Sequence, residues 1–213
     1  MKVTLSFDNG PTEGVTERVL DDLRARGIRS TFFVVGKRLQ RRGERRIAER
    51  AAAEGHWLGN HTLTHTVCLG EDGGQSLAER EIGETQALLG ELSHPDRFFR
   101  PNGKGRLGDH LLSTAAVECL CRGSFSCVLW TSVPRDWEAD AEWVDRCLAN
   151  VRSRDWSVVV LHDLPTGAMS ELPRLLDRMQ EEGAEMRQDF PADCVPILRG
   201  RVVAPLDSIV RAM

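Results

Sequence analysis

Val3-Thr4-Leu5-Ser6-Phe7-Asp8-Asn9-Gly10-Pro11 runs from an apolar stretch into an acid, an amide and a turn. The first five residues read as a buried strand. Asp8 then stands where the strand ends, a position from which loops build sites in α/β folds. Further along, His61-Thr62-Leu63-Thr64-His65 supplies two histidines four residues apart. An acid, an amide and two histidines are what a hydrolytic metal site needs. The H-x-x-x-H spacing predicts that both rings lie on one side of a helical turn. Each stretch alone is weak: paired histidines often cap or hydrogen-bond, and Asn-Gly-Pro suits any tight turn.

Working outward, short apolar runs alternate with helical patterns. Strands are predicted at 3–7, 31–35, 126–130 and 157–161, with weaker ones at 57–59, 98–100 and 195–198. Amphipathic helices are predicted over 15–26, 44–54, 77–92, 109–119, 138–152 and 170–182. Val15, Val19, Leu20 and Leu23 give the first helix an apolar stripe, and Gly27 and Gly55 follow helices where a left-handed cap sits. Strands buried on both faces between helices imply a single α/β domain over residues 1–213 with a largely parallel sheet. Pattern alone does not separate a barrel from an open sheet.

The composition excludes other classes. The chain is 41% hydrophobic and 28% charged, with a net charge of −4. A net negative balance argues against nucleic acid as the main partner. No stretch has the length of a membrane span, and the first residues enter a strand without a signal peptide's apolar region. A cytoplasmic location is therefore expected. None of the six cysteines forms a C-x-x-C pair, so reduced, mostly buried thiols are expected. Cys68, three residues after His65, is the one to watch. The arginine-rich stretch from Lys37 to Arg50 reads as a solvated helix face, with a docking patch for an anionic substrate as the alternative.

Three later segments complete the set. Arg100-Pro101 closes a short strand, Asp136-Trp137 sets an acid beside an aromatic, and Leu161-His162 ends a strand in a histidine. Each has an ordinary structural explanation: a surface ion pair for Arg100, core for Trp137, a satisfied core imidazole for His162.

Together, in this order, the five segments resemble the polysaccharide deacetylase (NodB-homology, carbohydrate esterase family 4-like) family. That pattern reads T-F-D-D-G-P, H-[ST]-x-x-H, R-P-P-Y, D-W and L-x-H. The resemblance runs from residue 3 to about residue 182. It implies an irregular seven-stranded (β/α) barrel and hydrolysis of a non-peptide C–N bond, most simply N-deacetylation of an acetamido sugar or small N-acyl substrate. A divalent ion, usually zinc, would be held by His61, His65 and the residue at position 9. Asp8 would be the general base, and His162 the acid that protonates the departing amine. Asp136 would hold His162 cationic, and Arg100 would orient Asp8. Trp137 and Leu161 would line a pocket for the acetyl methyl, with Pro101 and Asn102 along the substrate groove.

Three departures qualify the resemblance. Asn9 replaces the metal-binding acid, which weakens the expected zinc affinity. Asn102-Gly103-Lys104 replaces Pro-Tyr-Gly, and the chain has no tyrosine. Val133 stands where many members carry a further acid. Four readings follow. One is a metal-dependent deacetylase with an Asn ligand, or with Cys68 or water completing the shell. Another is a metal-free amidohydrolase opening a cyclic ureide or imide. A third is a carbohydrate-binding homologue without turnover. The last is deamidation of Asn9-Gly10 to restore the acid.

Overall fold

The computed structural model describes residues 1–71, 74–138, 140 and 142–211. The chain alternates as expected. β1 (Lys2–Asp8), α1 (Thr16–Ala25), β2 (Thr31–Val34), α2 (Gly36–Leu39), α3 (Arg42–Ala53) and β3 (Trp57–Asn60) come first. α4 (Gln75–Ala78), a π-helical turn (Glu79–Glu84) and α5 (Thr85–Leu89) form one continuous helical stretch. β4 (Phe98–Phe99), β5 (Leu112–Ser113), α6 (Thr114–Arg122), β6 (Ser126–Cys127), α7 (Trp143–Arg152), β7 (Trp156–His162) and α8 (Leu172–Glu181) follow. β8 (Glu185–Arg187), β9 (Ile197–Leu198), β10 (Arg201–Val202) and β11 (Val210–Arg211) end the chain.

The main sheet runs β10-β9-β6-β4-β3-β2-β1-β7, with β8 beside the first half of β1. The neighbours from β6 to β7 are all parallel. The sheet curls into a half-barrel, and a parallel bridge from Ser132 to Val159 draws the chain after β6 back onto β7. The architecture is thus the expected irregular, largely parallel α/β barrel. Among the described residues its main path carries eight strands rather than seven: six parallel ones from β6 to β7, and the short β9 and β10, which add antiparallel at the β6 edge.

β1 shows why the curl has a polar interior. Val3, Leu5 and Phe7 point outward into a core shared with α1, α3, α7 and α8. Thr4, Ser6 and Asp8 alternate onto the concave face, buried by the curl. β7 obeys the same period: Val159 and Leu161 join the helix-facing core, so Val158, Val160 and His162 face inward. The amphipathic stripe of α1, with Val19, Leu20 and Leu23 buried, is what closes the outer layer over β1.

Several boundaries differ from the sequence reading. The helix expected over 109–119 begins at Thr114, because Leu112 and Ser113 pair with Val210 and Arg211. Ser113 then caps α6 by accepting a hydrogen bond from the Ala116 N–H at 3.2 Å. The strand expected over 126–130 keeps only two ladder residues. Its backbone changes partner at each step: Val128 donates to Phe99, Leu129 to Cys194 and Thr131 to Val158. The helix expected from 138 begins at Trp143 after a 3₁₀ turn at Asp136–Glu138. Residues 139 and 141 lie outside the described set. No helix among the described residues is long and apolar enough to cross a membrane.

Candidate active site

Asp8 and His162 are in-register neighbours on the two adjacent strands β1 and β7. Both therefore emerge at the same end of the barrel. There, a cavity of about 300 Å³ is lined by Asp8, Asn9, His61, His65, Trp137 and His162, among others.

Asp8 is held from behind. Arg100 is completely buried, and its Nη1 donates to Asp8 Oδ1 at 2.8 Å and to Ser6 Oγ at 2.7 Å. Its guanidinium stacks 3.9 Å above the Phe33 ring, and Nε donates to the Val128 carbonyl at 3.3 Å. A buried cation this well satisfied fixes the Asp8 carboxylate in place and leaves Oδ2 on the open side. His61 Nε2 stands 3.6 Å from that oxygen.

His162 is held from the side. Asp136, also completely buried, accepts the His162 N–H on Oδ2 at 2.7 Å and contacts ring Nδ1 through Oδ1 at 2.9 Å. With Nδ1 engaged, Nε2 is the nitrogen left for the cleft. Burial alone would lower the His162 pKa, but the Asp136 hydrogen bond and charge, with Asp8 adding to them, hold it above the ordinary value. The Trp137 ring meets the imidazole edge-on at 5.0 Å.

The histidine pair does not sit on a helical turn, contrary to the expectation from its spacing. His61 to His65 form a loop after β3, with Thr62 at φ 66° and His65 at φ 56°. Asn60 Oδ1 accepts the Thr62 N–H at 3.0 Å, and Thr62 Oγ1 accepts the His65 N–H at 3.1 Å. These side chain-to-backbone bonds fold the loop so that the ring centroids lie 4.7 Å apart. Burial pushes both imidazoles down to about 3, so both are neutral near pH 7. His61 Nδ1 contacts the Arg100 carbonyl at 2.8 Å, an arrangement that fixes a ligand histidine's tautomer and frees Nε2.

Asn9 lines the same cavity as the two histidines. Its φ of 75° is a left-handed conformation that Asn tolerates. Among the described residues, its side-chain Oδ1 is buried without a hydrogen-bond partner. An orphaned buried oxygen beside two neutral imidazoles fits a divalent ion that accepts N and O ligands. Among the described residues, no group of three or more His, Cys, Asp or Glu side chains could hold a metal. The further oxygen that could serve beside the two imidazoles is thus that of a neutral amide. Cys68 is fully buried, and it does not line the cavity.

Leu161 does not line the pocket. The alternation of β7 sends it into the helix-facing core, and Val160, two residues before His162 and on the same face, takes that place. Pro101, Asn102 and Trp137 do line it. The Asn102 amide is spent internally, donating to the His65 carbonyl at 3.2 Å and accepting the Lys104 N–H at 3.3 Å. Sequence reasoning missed Trp130, Leu164 and Asp163. Asp163 is completely buried, accepts a short hydrogen bond from Thr16 Oγ1 and is pushed up to about 6 by burial. A Cβ on Gly10 would lie 2.0 Å from its Oδ2. Only glycine lets the Asp8–Pro11 turn seat against this carboxyl. Its adjacency to His162 was the one available signal.

Residues 1–116 match the family model for polysaccharide deacetylases. The chain belongs to the polysaccharide deacetylase family. A peptidoglycan-N-acetylglucosamine deacetylase of Bacillus cereus is 28% identical over 188 residues, covering 85% of this chain and 83% of the relative. A chitooligosaccharide deacetylase of Sinorhizobium fredii is 32% identical over 168 residues, covering 76% and 71%. Among solved structures, a T48 deacetylase with substrate superimposes with a TM-score of 0.71 at 26% identity, covering 88% of this chain and 87% of that one. The chain is a hydrolase acting on carbon–nitrogen bonds other than peptide bonds.

Proposed function

We propose that the chain removes the acetyl group from an acetamido sugar, with Asp8 as general base, His162 as general acid and a divalent ion, zinc by preference, at His61, His65 and Asn9. The observation that carries this reading is the pair of separately braced groups on neighbouring strand ends. Arg100 fixes Asp8, Asp136 fixes His162, and both face one cavity.

The chemistry divides between them. Asp8 takes a proton from the attacking water through its free Oδ2. Arg100 keeps that carboxylate oriented toward the cleft. His162, cationic beside Asp136, gives a proton from Nε2 to the departing nitrogen. The products are acetate and a free amine. A bound ion would polarise the acetamide carbonyl and favour ionisation of the water. Trp137, Trp130 and Val160 give the acetyl methyl an apolar wall that excludes bulk water. The acetamido sugars named for the relatives from B. cereus and S. fredii support this substrate class.

Acetate release from N-acetylated sugars is the readout. The rate is expected to fall as pH rises through the His162 pKa, because only the protonated imidazole can act as the acid. Asp136→Asn removes the anion that raises this pKa and leaves burial to lower it. The alkaline limb of the pH profile is then expected to move to lower pH. An unmoved limb removes His162 from the acid role. Asn9 favours a second reading, in which the same base and acid open a cyclic ureide or imide without metal. Turnover of such a substrate with no acetate release from sugars would select it.

A further inference from the structure

A second cavity, of about 400 Å³, opens beside the first and shares Asn9, His65 and Leu164 with it. Its outer wall is cationic. Lys37, Arg38 and Arg41, from α2 and the turn after it, line the cavity, and no acid does. Arg41 is ion-paired with Glu44 at 3.0 Å. Among the described residues, Lys37 and Arg38 have no carboxylate partner within ion-pair distance. Arg38 donates only a long hydrogen bond to the Pro11 carbonyl at 3.4 Å. Its charge also reaches His65 and Asp163, but the Asp163 carboxyl is engaged by Thr16. The cluster sits in a chain of net charge −4; on the neighbouring α3, Arg45 and Arg50 are matched to acids, and Arg42 and Arg46 lie outside the cavity.

We propose that this cavity is a subsite for an anionic substituent, a carboxylate or a phosphate, on the same N-acyl sugar whose acetamide enters the main cleft. The inference rests on the deacetylase reading for the orientation of that sugar. Asn9 and His65 line both cavities, so the cationic wall lies next to the cleft that would take the acetamide. A neutral sugar would leave two cations unpaired there. An anionic one would receive charge-assisted hydrogen bonds from Arg38 and Lys37. The substrate class favoured is thus an acidic amino sugar rather than a neutral chitooligosaccharide.

Calorimetric titration of the full chain with three ligands at low and high salt tests this: N-acetylglucosamine, N-acetylmuramic acid and N-acetylglucosamine 6-phosphate. At least one anionic ligand is expected to bind 10-fold or more tightly than the neutral sugar, with an advantage that shrinks in salt. Preference for the muramic acid identifies a carboxylate as the natural group, and preference for the phosphate ester identifies a phosphate. Lys37→Gln and Arg38→Gln should each reduce the advantage, and Arg42→Gln, outside the cavity on the same stretch, should not. Melting curves establish folding, and the exposed Lys37 gives a variant with little structural cost. Equal binding of all three ligands, or an advantage that survives both substitutions, overturns the subsite. Binding is read without turnover. Anion preference without acetate release rejects the catalytic reading alone, and acetate release without anion preference rejects the subsite alone.

Discussion

Asp8→Asn is expected to lower kcat for acetate release by about 10²- to 10⁴-fold, the usual worth of a positioned general base. The amide keeps the shape of the side chain but cannot accept the proton of the attacking water. Folding should survive at some cost in stability, because Asn Oδ1 can still accept from Arg100 Nη1, which also retains Ser6 Oγ, while Nε retains the Val128 carbonyl. Asp8→Ala is a different experiment. Both variants take the charge of the carboxylate from a completely buried guanidinium, but Asn keeps an oxygen that can accept from Arg100 Nη1 and Ala leaves none. Breaking such a pair from one side costs about 3–5 kcal/mol. Steady-state acetate release with parallel thermal melts separates the two effects. Wild-type kcat in Asp8→Asn would exclude Asp8 as the base.

Asn9→Asp should tighten zinc binding by at least roughly 10- to 100-fold, the range seen when even a supporting group of a metal site is altered. The backbone allows the change, since aspartate shares asparagine's tolerance for the left-handed φ of 75° at this position. The signs of the stability changes are informative. Asn9 Oδ1 is already buried without a partner, and a carboxylate in its place carries a charge that costs more to bury. The metal-free variant should therefore melt below the metal-free wild type. With zinc the order should reverse, because binding free energy adds to folding free energy. Competition with a chromophoric chelator gives the affinities. Equal affinity in the two proteins would mean that position 9 does not contact the ion.

The parts of this molecule legible in its sequence are those where burial is two-sided and local. β1 and β7 are apolar runs between helices, and their ends place Asp8 and His162 where a site must form. The histidine pair was found by spacing, yet the reason was different: Asn60 and Thr62 side chains fold a loop, and no helix is involved. Leu161 illustrates a parity error. One residue along a strand reverses the face, so Val160 rather than Leu161 belongs with His162. The start of α6 and the end of β6 depended on partners remote in sequence, Val210 for one and Cys194 and Val158 for the other. Local patterns carry no information about such partners. Asp163 stayed hidden for a related reason, since its meaning comes from Gly10 and Thr16 meeting it across the barrel end.

Metal content of the purified chain, measured together with acetate release before and after chelation, tests metal-assisted deacetylation most directly. The arrangement of Asp8, His162, His61, His65 and Asn9 predicts that chelation abolishes acetate release and that added zinc restores it in proportion to occupancy. Undiminished acetate release from a chain carrying no metal would contradict it.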